Sequence, residues 1–234
     1  MLMKLTAMRV ALVAVFAALQ AVLATFPFTI AIGVTGYSIT LGLIGGPLIG
    51  ILLGPFMGGT AVLIGSLVGV FVNPSGAIIG LLTVIPPSCG ALAAGFVKLK
   101  KAYFAGLIIL FSLLVFYAHP FGKEAFLFPW LHIVAMVTAF SPVAYIAGSG
   151  FADAKHSRVV FGIVIASFVG VLTDHIVGSA IAIWYFSPGL IPQIWHSIMF
   201  VYPIERAIAL TVASAVAVPV YYGLKKAGLA DLLK

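Results

Sequence analysis

Gly42–Gly69 reads GLIGGPLIGILLGPFMGGTAVLIGSLVG, a run without a single charged residue. Within it Gly42, Gly46, Gly50, Gly54 and Gly58 recur at every fourth position, followed by Gly65 and Gly69. Each glycine in a water-exposed helix costs roughly 1 kcal/mol against alanine, so such a run makes a poor soluble helix. In lipid the same spacing is useful. Residues four apart share a helix face, and a stripe without side chains lets helix backbones approach until van der Waals packing replaces the hydrophobic effect that lipid does not supply. Gly54-Pro55 interrupts the run and predicts two short, tightly joined helices, a hairpin or a partly re-entrant pair buried at the centre of a bundle.

The rest of the chain agrees with that reading. Of 234 residues, 63% are apolar and 7% charged, where soluble domains carry about 25% charged residues. The apolar runs are unbroken, not alternating, which excludes a transmembrane barrel and predicts an all-α polytopic bundle in the lipid bilayer. Candidate spans are Leu5 to Phe26, Ser38 to Leu53, Phe56 to Val72, Ala77 to Val97, Tyr103 to Ala118, Trp130 to Ala147, Val159 to Phe186 and Ile198 to Leu224. They make eight spans in a single transmembrane domain over 1–234. Pro86 and Pro87 are expected to bend the fourth. Lys4 and Arg9 give the first span the look of a signal peptide, but no cleavage site or polar mature domain follows. The lone Cys89 can form neither an internal disulfide nor a zinc site and reads as packing.

Cations set the orientation. Lys98, Lys100 and Lys101 share one loop, Lys155 and Arg158 another, and Lys4, Arg9, Lys225, Lys226 and Lys234 flank the ends. Eight spans put all of these on one face and leave Lys123 opposite, so the positive-inside rule predicts cytoplasmic termini in a multi-pass plasma-membrane protein. The net charge of +7 is scattered between apolar runs without interleaved aromatics, and nucleic acid is not an expected partner. Tyr103 to Ala118 lacks the glycine stripe and reads as lipid-facing.

The chain has only five acidic residues. Asp174 and Glu205 fall inside predicted spans with Arg206, His132 and His175, where charge is costly and functional use is the default expectation. At about 1.5 Å per residue Asp174 lies ~22 Å from the inner face and Arg206 ~12 Å below the outer one, depths that match. They are expected to meet between the last two helices, as a buried pair or as opposite walls of a polar cavity. Trp184, Tyr185, Trp195, His196 and Tyr202 cluster at the outer mouth, around a loop with Ser187, Pro188, Gly189 and Pro192. They form either an interfacial belt or a stack for a flat heterocycle whose polar edge meets His196, Glu205 and Arg206. His119 and His132 stand without a second histidine at helical spacing, so no metal site is expected. His175 points about 100° away from Asp174 and makes no dyad with it. No hydrolase or nucleotide-binding motif occurs, and neither enzymatic activity nor a cofactor is expected.

The order of these features resembles the substrate-binding S component of energy-coupling factor transporters. Ala14-Val-Phe-Ala-Ala18 is similar to that family's Ala-x-x-x-Ala motif in helix one. Leu52-Leu-Gly54-Pro55 with the glycines to Gly65 resembles its turn between helices two and three. Pro86, Gly90 and Gly95 before the Lys98 loop fit, and Ala215 to Leu229 looks like its last helix with a basic cap. The family usually has six helices; the two extra spans here read as an inserted hairpin at 102–149, which enters and leaves on one side. The resemblance implies capture of a small vitamin-like nutrient on the outer side, near the loop after helix one and the final helices. The ligand-binding residues would be Asp174, Trp184, Tyr185, His196, Tyr202, Glu205 and Arg206. It implies toppling within the membrane and docking through Ala14 and Ala18 on a transmembrane coupling subunit that works with two cytoplasmic ATPases. Two competing readings are an accessory subunit of an intramembrane enzyme, such as a prenyl diphosphate synthase, using Asp174, His175 and Glu205, and a proton or ion pathway along the same groups.

Overall fold

The computed structural model describes residues 2–31, 33, 35–153, 155–187 and 192–228; Pro188, Gly189, Leu229 and Lys234, used in the sequence reading, lie outside them. The order is α1 (Leu2–Thr25), β1 (Pro27–Ile30), β2 (Ser38–Thr40), α2 (Gly42–Leu53), α3 (Pro55–Val72), α4 (Ile85–Lys98), α5 (Tyr103–Ala118), α6 (Pro120–Glu124), α7 (Trp130–Phe140), α8 (Pro142–Gly150), α9 (His156–Tyr185) and α10 (Pro192–Lys226). Short 3₁₀ turns at Pro74–Gly76 and Gly80–Val84 link α3 to α4. Five stretches, Ala7–Thr25, Pro55–Val72, Gly80–Lys98, His156–Tyr185 and Pro192–Lys226, are long and apolar enough to cross a membrane. The pair α7 and α8, bent by 68° at its short break, is either a sixth, broken span or a re-entrant pair. The chain is a helical membrane bundle.

Several expected boundaries move, each for a local reason. The span expected from Ser38 begins as a strand: β2 pairs antiparallel with β1, Thr29 opposite Ile39. Gly33 and Gly36 in the connection take φ of 82° and 83°, a left-handed conformation that glycine adopts freely. That leaves α2 only 12 residues, about 18 Å at 1.5 Å per residue, well short of a ~30 Å hydrocarbon layer. Pro86 and Pro87 sit in the first turn of α4, where a missing N–H costs nothing, so they start that helix and do not bend it. The bend falls instead at Ser141-Pro142, between α7 and α8.

All twelve residues of α2 are buried. A methyl group on Gly50 would run into the Ala91 carbonyl of α4, and one on Gly58 would lie 2.8 Å from the Gly50 Cα. The ladder thus brings α2 into backbone contact with both α4 and α3. Gly54 joins α2 to α3 with φ 80° and ψ 179°, a region essentially confined to glycine. Gly65 and Gly69 meet Ala17 and Ala24 of α1 in the same way. Along the other flank α9 packs against α2, α4, α5, α7, α8 and α10.

The two ends of the bundle differ. At one end the Lys98 ammonium donates to the Leu52 carbonyl at 3.0 Å, Arg158 pairs with Asp153 at 2.8 Å and Tyr221 donates to the Phe151 carbonyl. The ends of α2, α4, α8 and α10 and the start of α9 therefore gather with the cations. At the opposite end Asn73 donates to the Thr25 carbonyl and Trp184 to the Val115 carbonyl, which brings together the ends of α1, α3, α5 and α9.

Gly50→Ala and Gly54→Ala are expected to lower stability in detergent by about 1–3 kcal/mol each, the first by overpacking and the second by backbone strain. Gly223→Ala, where an added methyl meets nothing within 4 Å, should be neutral or slightly stabilising; thermal unfolding followed by circular dichroism checks all three.

Candidate functional site

The short α2 leaves part of the bundle's thickness unfilled at the end away from the cations, and there a cavity of about 230 Å³ opens. Its sides come from α1, α3, α9 and α10, its floor includes Gly42 and Leu43 at the start of α2, and Ala31, Ile39 and Thr40 of the hairpin segment border it. Most of the lining is apolar. The polar exceptions decide its chemistry.

Asp174 and His175 of α9 and Glu205 and Arg206 of α10 all line the cavity. Asp174 is 7% and Arg206 4% exposed. Gly90 permits this by standing against Asp174 on the α4 side. Of the two arrangements expected for Asp174 and Arg206, the direct pair is not formed: among the described residues the ion pairs within 4.0 Å are Arg158–Asp153 and Arg206–Glu205, the latter at 3.7 Å. They are walls of one cavity. Arg206 Nε is buried without a hydrogen-bond partner among the described residues. The contact of Arg206 with Glu205 is long for an ion pair, so the guanidinium keeps capacity for a further partner at the cavity.

The remaining expected binding residues separate from the cavity. Tyr202 is fully buried behind it, donating to the Phe128 carbonyl at 3.0 Å and accepting from the Leu131 N–H at 3.3 Å. Trp184 is half exposed, donates to the Val115 carbonyl and meets His119 edge-on at 4.8 Å. Tyr185 is also about half exposed, with its hydroxyl beside Gly80, and His196 is exposed. None of these four lines the cavity. The helices that carry them are apolar on all sides, so face could not be read from sequence. Ala14 and Ala18 lie on the exposed face of α1, while Phe16, Ala17 and Gln20 turn inward.

Two features, Gln20 and the His132–His175 contact, escaped the sequence reading, and of the expected aromatic cluster Trp195 alone turns to the cavity. Gln20, fully buried, donates from Nε2 to the Gly42 carbonyl at 3.2 Å and to Ser66 Oγ at 3.0 Å, tying α1 to α2 and α3 beside the cavity. A lone amide in an apolar span was the available signal. Trp195, 3% exposed, lines the cavity, and its Nε1 has no partner among the described residues. His132 is not isolated: its Nε2 lies 3.0 Å from Nδ1 of His175. These histidines are 43 positions apart, beyond any helical spacing. Among the described residues no three His, Cys, Asp or Glu side chains are grouped to hold a metal ion.

The chain matches no known protein family, and no solved structure matches it. It is 30% identical over 136 residues to the uncharacterized protein MJ0923 of Methanocaldococcus jannaschii. That match covers 58% of this chain and 46% of the relative, so the chain spans less than half the length of the curated relative it matches.

Because the charge of Arg206 is met inside the bundle only by a long 3.7 Å contact with Glu205, Arg206→Met should raise the melting temperature of ligand-free protein, since an apolar side chain there avoids the burial cost. Tyr202→Phe should lower stability by about 1–2 kcal/mol, because two backbone groups lose their shared partner. Unfolding of both variants beside the parent tests the distinction between binding group and structural group.

Proposed function

We propose that this protein is the substrate-capturing subunit of an energy-coupling factor type transporter. It would bind a small vitamin-like nutrient on the outer side of the plasma membrane for uptake driven by partner subunits. The observation that carries this reading is the half-open, mostly apolar cavity lined by buried Asp174 and Arg206, which form no direct pair with each other. A structural ion pair would have closed; a binding site keeps its polar groups open. Its border with the segment after α1 agrees with where the resemblance expects the ligand.

The topology that belongs to this reading has eight passes, with α2 as a short buried one, the hairpin at 102–149 inserted, and both termini cytoplasmic. The cation-rich end supports the orientation through the positive-inside rule, and the cavity then faces outward. Exposed Ala14 and Ala18 offer a flat strip on α1 for the transmembrane coupling subunit, which would work with two cytoplasmic ATPases. The competing readings draw less support. An enzyme accessory role needs Asp174, His175 and Glu205 to converge with a reacting group. A proton pathway needs a continuous polar route, whereas α2 and its neighbours below the cavity are packed through glycine.

Two experiments test the proposal. In a Cys89→Ala background, a cysteine at Ser75, exposed at the cavity end, should react with an impermeant maleimide in intact cells, and one at Ser157 only after permeabilisation; the reverse pattern contradicts an outward cavity. Ala14→Trp with Ala18→Trp should abolish co-purification with the coupling subunit while leaving ligand content unchanged. Undiminished co-purification removes the docking role.

A further inference from the structure

Resting on the reading of the cavity as a ligand site, we infer that its ligand is an organic cation, held at Asp174 through a positively charged nitrogen that carries N–H.

The charges that line the cavity belong to two carboxylates, Asp174 and Glu205, and one guanidinium, Arg206. They do not cancel. Glu205 is the carboxylate beside Arg206, at 3.7 Å, and among the described residues no cation lies within 4.0 Å of Asp174. Glu205 and Arg206, neighbours on α10, offset each other and leave Asp174 as the surplus. It is 7% exposed and has no counter-charge in contact. A carboxylate so placed is compensated only by a cation or by hydrogen-bond donors that reach it.

The fold withholds those donors. On the α4 side Asp174 stands against Gly90, and one turn further along α9 Gly178 stands against Pro86. Glycine has no side chain, and proline lacks even its N–H. Neither carboxylate oxygen has a hydrogen-bond partner among the described residues, yet neither is sealed: unlike Arg206 Nε and Trp195 Nε1, both keep accessible surface. Water or a ligand in the cavity therefore reaches the charge itself.

The rest of the wall suits the body of such a ligand. Phe186 and Trp195 give aromatic surface, Trp195 through its ring carbons because its Nε1 is sealed, and Ile198 and Val201 extend the apolar part. Aromatic and aliphatic surface around one carboxylate favours an organic cation over an inorganic one, since a metal ion gives up its water only for several oxygens. Among the described residues no three His, Cys, Asp or Glu side chains gather for that. The cavity also lies at the end away from Lys98 and Arg158, so those cations do not oppose entry. The terminal nitrogens of Arg206, whose charge Glu205 offsets, stay available to a neutral acceptor on the same ligand.

Benzamidinium, benzamide and benzoate are near-isosteric probes that are cationic, neutral and anionic. Their binding to the full-length protein in phosphatidylcholine nanodiscs, whose lipid carries no net charge, is measured by saturation-transfer NMR with titration. Benzamidinium should bind about tenfold or more tightly than benzamide, and benzoate more weakly still. The net charge of +7 on the chain favours benzoate in any non-specific association, so this order reports the cavity. Asp174→Asn, which keeps the shape and removes the charge, should erase the advantage of benzamidinium over benzamide. Glu124→Gln, which removes an exposed carboxylate outside the cavity, should preserve it. The order of the three probes on the parent decides even where a variant fails to fold. Benzamide or benzoate binding as tightly as benzamidinium, or an undiminished preference in folded Asp174→Asn, overturns the inference while leaving the cavity a ligand site. Absence of binding by all three probes overturns the inference and counts against that site as well.

Discussion

Backbone contact between α2 and its neighbours is the constraint on which the rest of the structure depends. Because Gly50 and Gly58 carry no side chains, α2 packs against α3 and α4 closely enough to bury all of its twelve residues. Lipid supplies no hydrophobic drive for this, so the stabilisation is the close packing itself. A helix so buried need not cross the membrane, and α2 stops roughly 12 Å short of a full hydrocarbon thickness. The longer helices around it continue. The space they enclose beyond α2 is the cavity, bordered by the hairpin that occupies the chain where the missing turns would have been.

That arrangement also explains why charge survives in the bundle. Asp174 and Arg206 line a space that a ligand or water can reach, and they do not pair with each other; Arg206 keeps only a long contact with Glu205 at 3.7 Å. Groups that do hold the fold look different. Tyr202 serves two backbone atoms of another helix, Gln20 ties α1 to α2 and α3, and Lys98 satisfies the last turn of α2.

Helix positions, the Gly54-Pro55 turn and the cavity's charged residues were legible from sequence, because charges and glycines are rare and costly enough in lipid to stand out. What stayed hidden has one physical origin. In helices apolar all round, no amphipathic pattern reveals which side faces inward, so Trp184, Tyr185 and His196 were placed with Trp195 although only Trp195 turns to the cavity. The pairing of His132 with His175 is a tertiary contact between α7 and α9 with no local signature. The hairpin was missed because Ser38-Ile39-Thr40 runs without a charge into α2, and hydropathy does not distinguish a strand from a helix over so short a run.

The central claim is that the cavity exists to hold a small molecule. The direct measurement is to purify the protein from its own cells, denature it and identify released compounds by mass spectrometry, with Arg206→Ala prepared in parallel. The account predicts one compound of low mass at near-stoichiometric level from the parent and its loss from the variant. An empty parent protein, or equal release from both, would contradict it.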